Sequence, residues 1–323
     1  MTLDEIQALD ARASVFMKRG MALVAERTPT SLREALTCFD QAIALRGQMP
    51  LDTMPAYNYG LAAGWLNRAE ALTALDDPES RHLAVDAYDT ALTLIALLPL
   101  SDARVRRRSI IAHQNRGLAL LVVGRPDDAI ASLQMATRLA DDTSIDWPVE
   151  VTGLRAAVWS NLGKALLESQ RPDAAEAARL AARRAVDAVD ASRAATDVDA
   201  AMPALIGRHV WCQAIARLMT ERPAAGDAWR RPLVHEATDA VDEGLALARA
   251  WEQQGVDRFR PVATDLVRFG IRIYRQYQPQ FFDEFVAENF DPTESSPAWL
   301  GSVDMRAAAL ESLWLSFQIP RER

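Results

Sequence analysis

The chain has 323 residues, of which half are apolar and a quarter charged, so it is long enough for a large hydrophobic core and about two domains. Its formal net charge of -8 argues against nonspecific binding to nucleic acid or to anionic lipid. No run of about 18 apolar residues occurs and the N-terminus lacks the basic start of a secretion signal, so we expect a cytoplasmic protein without a membrane span. Cys38 and Cys212 lie far apart in apolar helical patterns and do not indicate a disulfide framework.

A short pattern with a small residue near its centre occurs four times in the first half of the chain. The copies are Lys18–Leu23 (KRGMAL), Asn67–Leu72 (NRAEAL), Asn115–Leu120 (NRGLAL) and Asn161–Leu166 (NLGKAL). The small residues stand at positions 20, 69, 117 and 163, so successive copies are 49, 48 and 46 residues apart. A pattern repeated at nearly constant spacing predicts an array of similar structural units.

Each copy is followed by a second pattern, in which two alanines flank a large apolar residue. The three complete members are Ala35, Phe39 and Ala42; Ala84, Tyr88 and Ala91; and Ala129, Leu133 and Ala136. In the fourth member Ala175 and Ala182 remain, but Arg179 replaces the large apolar residue. The helical spacing predicts that each unit is a pair of antiparallel helices, with tight turns such as Gly124-Arg125-Pro126 between them.

This order of small and apolar residues resembles that of tetratricopeptide repeat (TPR) proteins. Residues 13–142 match the order well and residues 150–185 match it moderately, although the family's repeat is about 34 residues. The TPR domains of kinesin light chains also have lengthened repeats, and we predict extended first helices at 54–75 and 101–123. The resemblance implies an all-α fold, a right-handed superhelix of about five to six antiparallel helix pairs with a C-terminal capping helix.

The pattern becomes weaker towards the C-terminus. We therefore predict a TPR-like array of four recognisable repeats in residues 1–190, degenerate helical pairs in 191–290, and a linker and capping helix in 291–323. A terminal helix with one polar face, predicted here at 303–317, is what a stack of repeats needs as a cap. The sequence also predicts an insert at 221–232, rich in proline and glycine, that exposes Trp229.

Two further helical pairs are predicted within 191–290. In the fifth, a first helix containing 211–216 is followed by a second pattern, which consists of Ala237, Val241, Gly244 and Leu247. In the sixth, helices at 260–277 and 281–290 place Gly270 at the small position, but Phe282 stands where alanine is expected.

The residues two positions before each small residue are candidates for ligand binding. Asn67, Asn115 and Asn161 stand there in three repeats, and Lys18 stands there in the first. The resemblance to kinesin light chains and to O-GlcNAc transferase implies that these side chains line a concave face and hold a peptide backbone. An asparagine amide offers a donor and an acceptor, so it can pair with a peptide unit of any sequence. The alternative is that these asparagines are ordinary surface residues that bond a neighbouring helix.

The same predicted face carries a mixed set of neighbours. They are Met17, Met21, Leu66, Glu70, Gln114, Leu118, Ser160 and Lys164. The candidate partner contacts are Lys18, Asn67, Asn115 and Asn161 together with Met21, Gln114, Leu118, Lys164 and Trp229. For Met17 and Met21 the alternative is packing in the core. TPR domains that hold an acidic C-terminus carry asparagine directly after the small residue. Here that position is Met21, Glu70, Leu118 or Lys164, which argues against such a clamp.

Arginines directly precede the small residue in three repeats. For Arg19, Arg68 and Arg116 we predict that the heads pair with acids of the second helices such as Asp40 or Asp89, and the alternative is an anion-binding column. The cluster at 106–108 is predicted to be a solvated face of a helix, and the alternative is a docking patch.

Catalytic and metal-binding motifs are missing from the sequence. The four histidines have no metal-ligand spacing, and no phosphate-binding glycine loop is present. We therefore expect no enzymatic activity, no metal and no cofactor. The first hypothesis is a scaffold or adaptor that binds a peptide or partner protein in its groove, without nucleic acid or membrane. The alternatives are a regulatory subunit that docks through its C-terminal region and the 221–232 insert, and an enzyme or small-ligand receptor that uses the repeats as a frame.

Overall fold

The computed structural model describes residues 1–142 and 152–290, with the side chain of residue 290 excepted. Among these residues every extended regular element is an α-helix and no strand occurs, which confirms the all-α prediction. The helices are α1 (Leu3–Ala25), α2 (Pro29–Arg46), α3 (Asn58–Leu75), α4 (Pro78–Ile95), α5 (Ala103–Val122), α6 (Pro126–Ala140), α7 (Thr152–Glu168), α8 (Ala174–Asp187), α9 (Ala191–Thr196), α10 (Val198–Glu221), α11 (Asp227–Gln253), α12 (Arg260–Tyr277) and α13 (Phe282–Phe290). The predicted linker and capping helix of 291–323 lie outside the described residues.

The chain divides into two compact units, Met1–Trp147 and Pro148–Arg323. In the first, α1 packs on α2, α3 on α4 and α5 on α6, and the pairs are joined by contacts of α2 with α3 and of α4 with α5. In the second, α7 packs on α8, α10 covers both, and α11, α12 and α13 follow in order. The predicted boundary at residue 190 marks where the repeat patterns fade, and it stays a prediction.

Caps and prolines set the start of each second helix in the first unit. Pro29, Pro78 and Pro126 occupy the first helical position, where the missing N–H removes no hydrogen bond. The Thr28 hydroxyl accepts the Ser31 N–H at 3.1 Å, and the Asp77 carboxylate accepts the Ser80 N–H at 2.9 Å. Tight turns between paired helices therefore follow from local sequence.

The predicted long first helices are shorter than expected. Helix α3 begins at Asn58 and not at residue 54, because a 3₁₀ turn occupies Pro55–Tyr57. Helix α5 begins at Ala103, because the Asp102 carboxylate accepts the Arg104 N–H at 2.8 Å and caps the helix. The remaining length of each repeat lies in the connections between the pairs.

The small residues of the repeats allow close contact with the second helix. A Cβ on Gly20 would lie 2.5 Å from the Phe39 ring, and a Cβ on Gly117 would lie 2.6 Å from Cγ of Leu133. In the fourth pair the corresponding neighbour of Gly163 is Val210 of α10, at 2.7 Å. The two sequence patterns therefore describe the two sides of one helix contact.

Arg179 explains the degraded fourth pattern. Its guanidinium pairs with Glu176 on its own helix and with Glu236 of α11, both at 2.7 Å. The Trp211 indole N–H also donates to Glu236, at 3.1 Å. The position thus ties α8 to α11 through charge instead of apolar packing.

The predicted exposed insert at 221–232 is mostly helical. Helix α10 extends to Glu221 and α11 begins at Asp227, so only 222–226 lie outside the helices. Trp229 lies in the first turn of α11, packs against the core of the second unit, and has the Arg222 guanidinium 5.6 Å above its ring. Trp229 is therefore a partly buried helical residue and not the exposed loop tryptophan that was predicted, because one part of its apolar ring packs against this core.

The sixth pair is confirmed by α12 and α13. Gly270 contacts the ring of Phe285, which stacks on Tyr274 with 4.6 Å between the ring centroids. The large partner of the small residue is therefore Phe285, while Phe282 packs at the edge of the same core. Cys38 and Cys212 are both buried free thiols. Among the described helices, none has the length and apolar character needed to cross a bilayer.

Candidate functional site

A recess of about 490 Å³ opens in the first unit beside α1. Its walls come from the middle of α1, the last residue of α2, the 3₁₀ turn at 55–57, and the first turns of α3 and α5. This volume is within the range of sites that hold small ligands or single side chains of a partner.

Arg46 lies in the wall of the recess and links the surrounding helices through hydrogen bonds. Its side chain is 10% exposed, and Nε donates to the Asp10 carboxylate at 3.0 Å. One terminal nitrogen donates to the Gly60 carbonyl at 2.7 Å, and the other to the Ser14 hydroxyl at 3.3 Å. Gly60 permits this approach, because a Cβ there would lie 3.1 Å from Nε of Arg46. Arg46 thus joins α1, α2 and α3 at one point.

Two further cations face the same recess from α1 and α5. Lys18 is exposed and makes no ion pair with a described residue. The Arg108 guanidinium lies 4.2 Å above the ring of Tyr59, which fixes its position through a cation–π contact. With Asp10 as the single carboxylate in the wall, the recess carries an excess of positive charge.

The residues predicted for the binding face of the first unit lie on and beyond this recess. Lys18 and Met17 line it, and Met17 is also buried, so the alternative of core packing is right for Met17. Met21 is 56% exposed one turn further along α1, so it is not a core residue. Asn67 lies one turn beyond Ala63, which lines the recess, on the same side of α3.

The predicted residues of α5 are more enclosed. Gln114, Asn115 and Leu118 are all half-buried, and the Gln114 side-chain oxygen is buried without a hydrogen-bond partner among the described residues. Asn115 presents its side chain to the hydroxyl of buried Tyr88, which Thr73 also approaches. Burial raises the pKa of Tyr88 to about 12, and these polar neighbours oppose that rise. This contact with α4 supports the alternative interpretation of Asn115, and its role in peptide binding stays a prediction.

The predicted residues of the second unit have a different environment. Asn161 is half-buried on α7, whereas Ser160 beside it is buried and donates to the Pro203 carbonyl of α10 at 3.1 Å. Ser160 is therefore a packing residue and not part of an open face. Lys164 is half-buried, and burial lowers the pKa of its amine.

The predicted pairing of the repeat arginines is confirmed for two of the three. Nε of Arg68 donates to Asp40 at 2.7 Å, and Nε of Arg116 donates to Asp89. Each pair joins a first helix to the second helix of the preceding repeat. Arg19 is exposed and has no earlier helix beside it among the described residues. These contacts favour the structural interpretation over an anion-binding column.

The prediction of a solvated face at 106–108 was wrong for one of its members. Arg106 is buried, donates to the Leu100 carbonyl at 3.0 Å, and pairs with Asp142 at 2.5 Å. Arg107 is exposed as expected, and Arg108 belongs to the recess. Three consecutive residues of a helix point in three directions, and the sequence does not show which of them meets a neighbour.

The second unit has its own recess, of about 390 Å³ and opposite charge, between α11, α12 and α13. Asp242 there accepts the Tyr274 hydroxyl at 2.6 Å, and burial raises the pKa of its carboxyl group. Glu288 pairs with Arg249 at 2.6 Å. No group of three histidine, cysteine or acidic side chains in the described part of the chain is arranged to hold a metal ion.

Sequence reasoning missed Arg46 and Tyr59, because neither lies in the repeated patterns, and it considered Arg108 only within the cluster at 106–108, with a docking patch as the alternative. The scarcity of lysine in the sequence could have drawn attention to Lys18 at the recess. Of the 36 basic residues only Lys18 and Lys164 are lysine, and both lie in the patterns assigned to the binding face.

Comparison with known proteins supports the fold. No protein-family model and no curated protein matches the chain. The crystal structure of BtubC (BKLC) from P. vanneervenii is similar, with a TM-score of 0.50 and 13% sequence identity over 90% of this chain and 95% of that chain. Together with the paired helices, this similarity identifies the chain as a helical repeat protein.

Proposed function

We propose that this protein is a noncatalytic scaffold that binds an extended segment of a partner polypeptide. The binding surface is the side of α1, α3 and α5 that includes the recess at Arg46. We further propose that the helix pairs follow the TPR arrangement, a right-handed superhelix whose first helices face inward, and that the protein acts in the cytoplasm.

The observation that carries this proposal is the open, positively charged recess on the predicted binding side. Lys18 and Arg108 face it without ion-pair partners among the described residues. Asn67 continues the same side of α3 with its amide half-buried and makes no hydrogen bond with a described residue. Charged and amide groups of this kind recognise peptide side chains and the peptide backbone.

The environments of Cys212 and His113 support a noncatalytic role. Burial raises the pKa of the Cys212 thiol, so the reactive thiolate is disfavoured. Burial lowers the pKa of His113 to about 4, and the Ser132 hydroxyl beside it donates to the His113 carbonyl at 2.9 Å. These groups are placed for packing and not for proton transfer to a ligand.

Selection from a phage-displayed library of random peptides tests the proposal. We expect selected peptides to bind the native chain and to lose about tenfold in affinity to Asn67→Ala, because a peptide hydrogen bond is lost in a partly buried site. Gln41→Ala is the matched control, an exposed amide on the second helix α2. If no peptide is selected, or if both variants bind equally, the proposed function is wrong.

A further inference from the structure

We propose that the recess at Arg46 binds a side-chain carboxylate of an acidic segment in the partner polypeptide. Lys18, Arg46 and Arg108 supply the positive charge, and Tyr57 and Tyr59 form the wall beside the ligand's aliphatic stem. This inference rests on the proposed function and names the chemistry of its ligand.

The charges in the recess are unbalanced until a ligand arrives. Asp10 is committed to Arg46 at 3.0 Å, while Lys18 and Arg108 have no acidic partner among the described residues. Three of the five N–H groups of Arg46 are used within the protein, to Asp10, Ser14 and Gly60, so two remain. A carboxylate has two acceptor oxygens, and guanidinium groups match them well.

Two of the three cations are already held in place. Arg46 is fixed by contacts to α1 and α3, and Arg108 is fixed on the face of Tyr59. A long side chain that is ordered before binding loses little conformational entropy when the ligand arrives. The site therefore differs from a patch of mobile surface arginines.

The overall charge of the chain favours a polypeptide over a nucleic acid as the ligand. The formal net charge is -8, so carboxylates outnumber basic groups. A nucleic acid brings a phosphate at every few ångströms and would meet these carboxylates. An acidic peptide can place one carboxylate in the recess and uncharged residues beside it.

The site is also distinct from the clamp that some TPR domains use for an acidic C-terminus. That clamp depends on the position after the small residue, which Met21, Glu70 and Leu118 occupy here. The cations of this recess come from α1, the last residue of α2 and the beginning of α5.

Fluorescence anisotropy with two labelled peptides tests the inference. One peptide alternates glutamate and serine, and the other has glutamine in place of each glutamate. We expect the native chain to bind the glutamate peptide about tenfold more tightly, and Lys18→Gln and Arg108→Gln each to remove most of that difference. Arg19→Gln and Arg107→Gln are the controls, since each removes one exposed positive charge outside the recess and should retain the preference.

Carbodiimide cross-linking supplies a second measurement on the native chain. The reagent joins a peptide carboxyl to a lysine amine as an amide, and the carboxyl oxygen leaves in the urea product. Because Lys18 and Lys164 are the only lysines, mass spectrometry assigns the adduct directly. We expect the glutamate peptide at Lys18 and no more than a background amount at Lys164.

The results separate this inference from the proposed function. Equal binding of both labelled peptides, or a preference that survives Lys18→Gln and Arg108→Gln, overturns the inference. The proposed function still stands if library-selected peptides bind and depend on Asn67. Tighter binding of an anionic oligonucleotide or lipid vesicle, lost in the same two variants, shows that the ligand class is wrong. An adduct distributed equally between the two lysines also counts against it.

Discussion

Individual cations of the first unit divide into those that form ion pairs between helices and those without an ion-pair partner among the described residues. Arg68, Arg106 and Arg116 form ion pairs with carboxylates of neighbouring helices or loops. Lys18 and Arg108 do not, and both lie at the same recess. The difference is one of position on the helix surface, because all five side chains are long cations of the same general kind.

His113 is the residue for which we predict a pH effect on stability. Burial and the nearby Arg116 and Arg138 lower its pKa to about 4, compared with about 6.5 in an unfolded chain. The folded state therefore binds fewer protons, and the contribution of neutral His113 is complete above pH 6.5 and is lost as the pH falls to about 4. We expect a loss of roughly 2–3 kcal/mol over this window.

Urea unfolding of the native chain and of His113→Gln between these pH values measures the effect. As the pH falls, the free energy of unfolding should decrease less in the variant than in the native chain. Subtracting the two profiles removes the contribution of the other titrating groups, which both chains share. His82→Gln is the control, an exposed histidine on α4. Parallel pH profiles for the native chain and His113→Gln would disprove the prediction.

At the scale of helices, the repeat is a contact between a small residue and a large one. Gly20 meets Phe39, and Gly117 meets Leu133, at distances that leave no room for a Cβ. In the fourth pair Arg179 stands in place of the large residue. It forms an ion pair with Glu236 of α11, and Val210 of α10 packs against Gly163 instead. The side chain that packs against the small residue can therefore come from the paired second helix or from another helix.

Substitution at Gly117 tests this contact between α5 and α6. A Cβ at this position would lie 2.6 Å from Cγ of Leu133, so Gly117→Leu must displace a branched side chain in a closed core. We expect a cost of about 1–3 kcal/mol in the free energy of unfolding, measured by thermal or urea denaturation. Gly226→Ala is the control, because nothing lies within 4 Å of its Cβ position, and it should cost less than about 1 kcal/mol. An unchanged stability of Gly117→Leu would contradict the packing assignment.

At the scale of the whole molecule, the described residues of the first unit form apolar clusters of their own. Two such clusters are built from residues of α1–α5 and the segments between them, and α6 covers α5 through Leu133. The unit comprises three helix pairs, which is the number at which repeat arrays become stable by themselves. The recess is also formed entirely within it.

We therefore predict that a chain of residues 1–142 folds and keeps the preference for the glutamate peptide. Circular dichroism should show helical content and one cooperative thermal transition, because the three helix pairs of the unit pack on one another. A chain of residues 1–122 is the control, since it lacks α6 and leaves Gly117 without Leu133. A fragment 1–142 as poorly folded as this control would show that the first unit depends on the rest of the protein.

The repeat units and their helices could be predicted because their information is local. Small and large residues at helical spacing, and prolines and caps at the helix starts, specify the hairpins without reference to distant residues. Trp229 and Arg106 could not be placed in this way. Whether a tryptophan near a proline is exposed, or which of three adjacent arginines is buried, depends on what another helix brings to it.

The sequence by itself determined that this protein is all-helical and that its helices pair, and it predicted that Arg68 and Arg116 pair with acids of the second helices. Only the tertiary structure showed the recess that we propose as the binding site, because it joins Lys18, Arg46 and Arg108 from three helices far apart in the chain. Periodicity reports which face of a helix is apolar. It carries no information on which polar side chains from different helices converge, and that convergence is what makes a site.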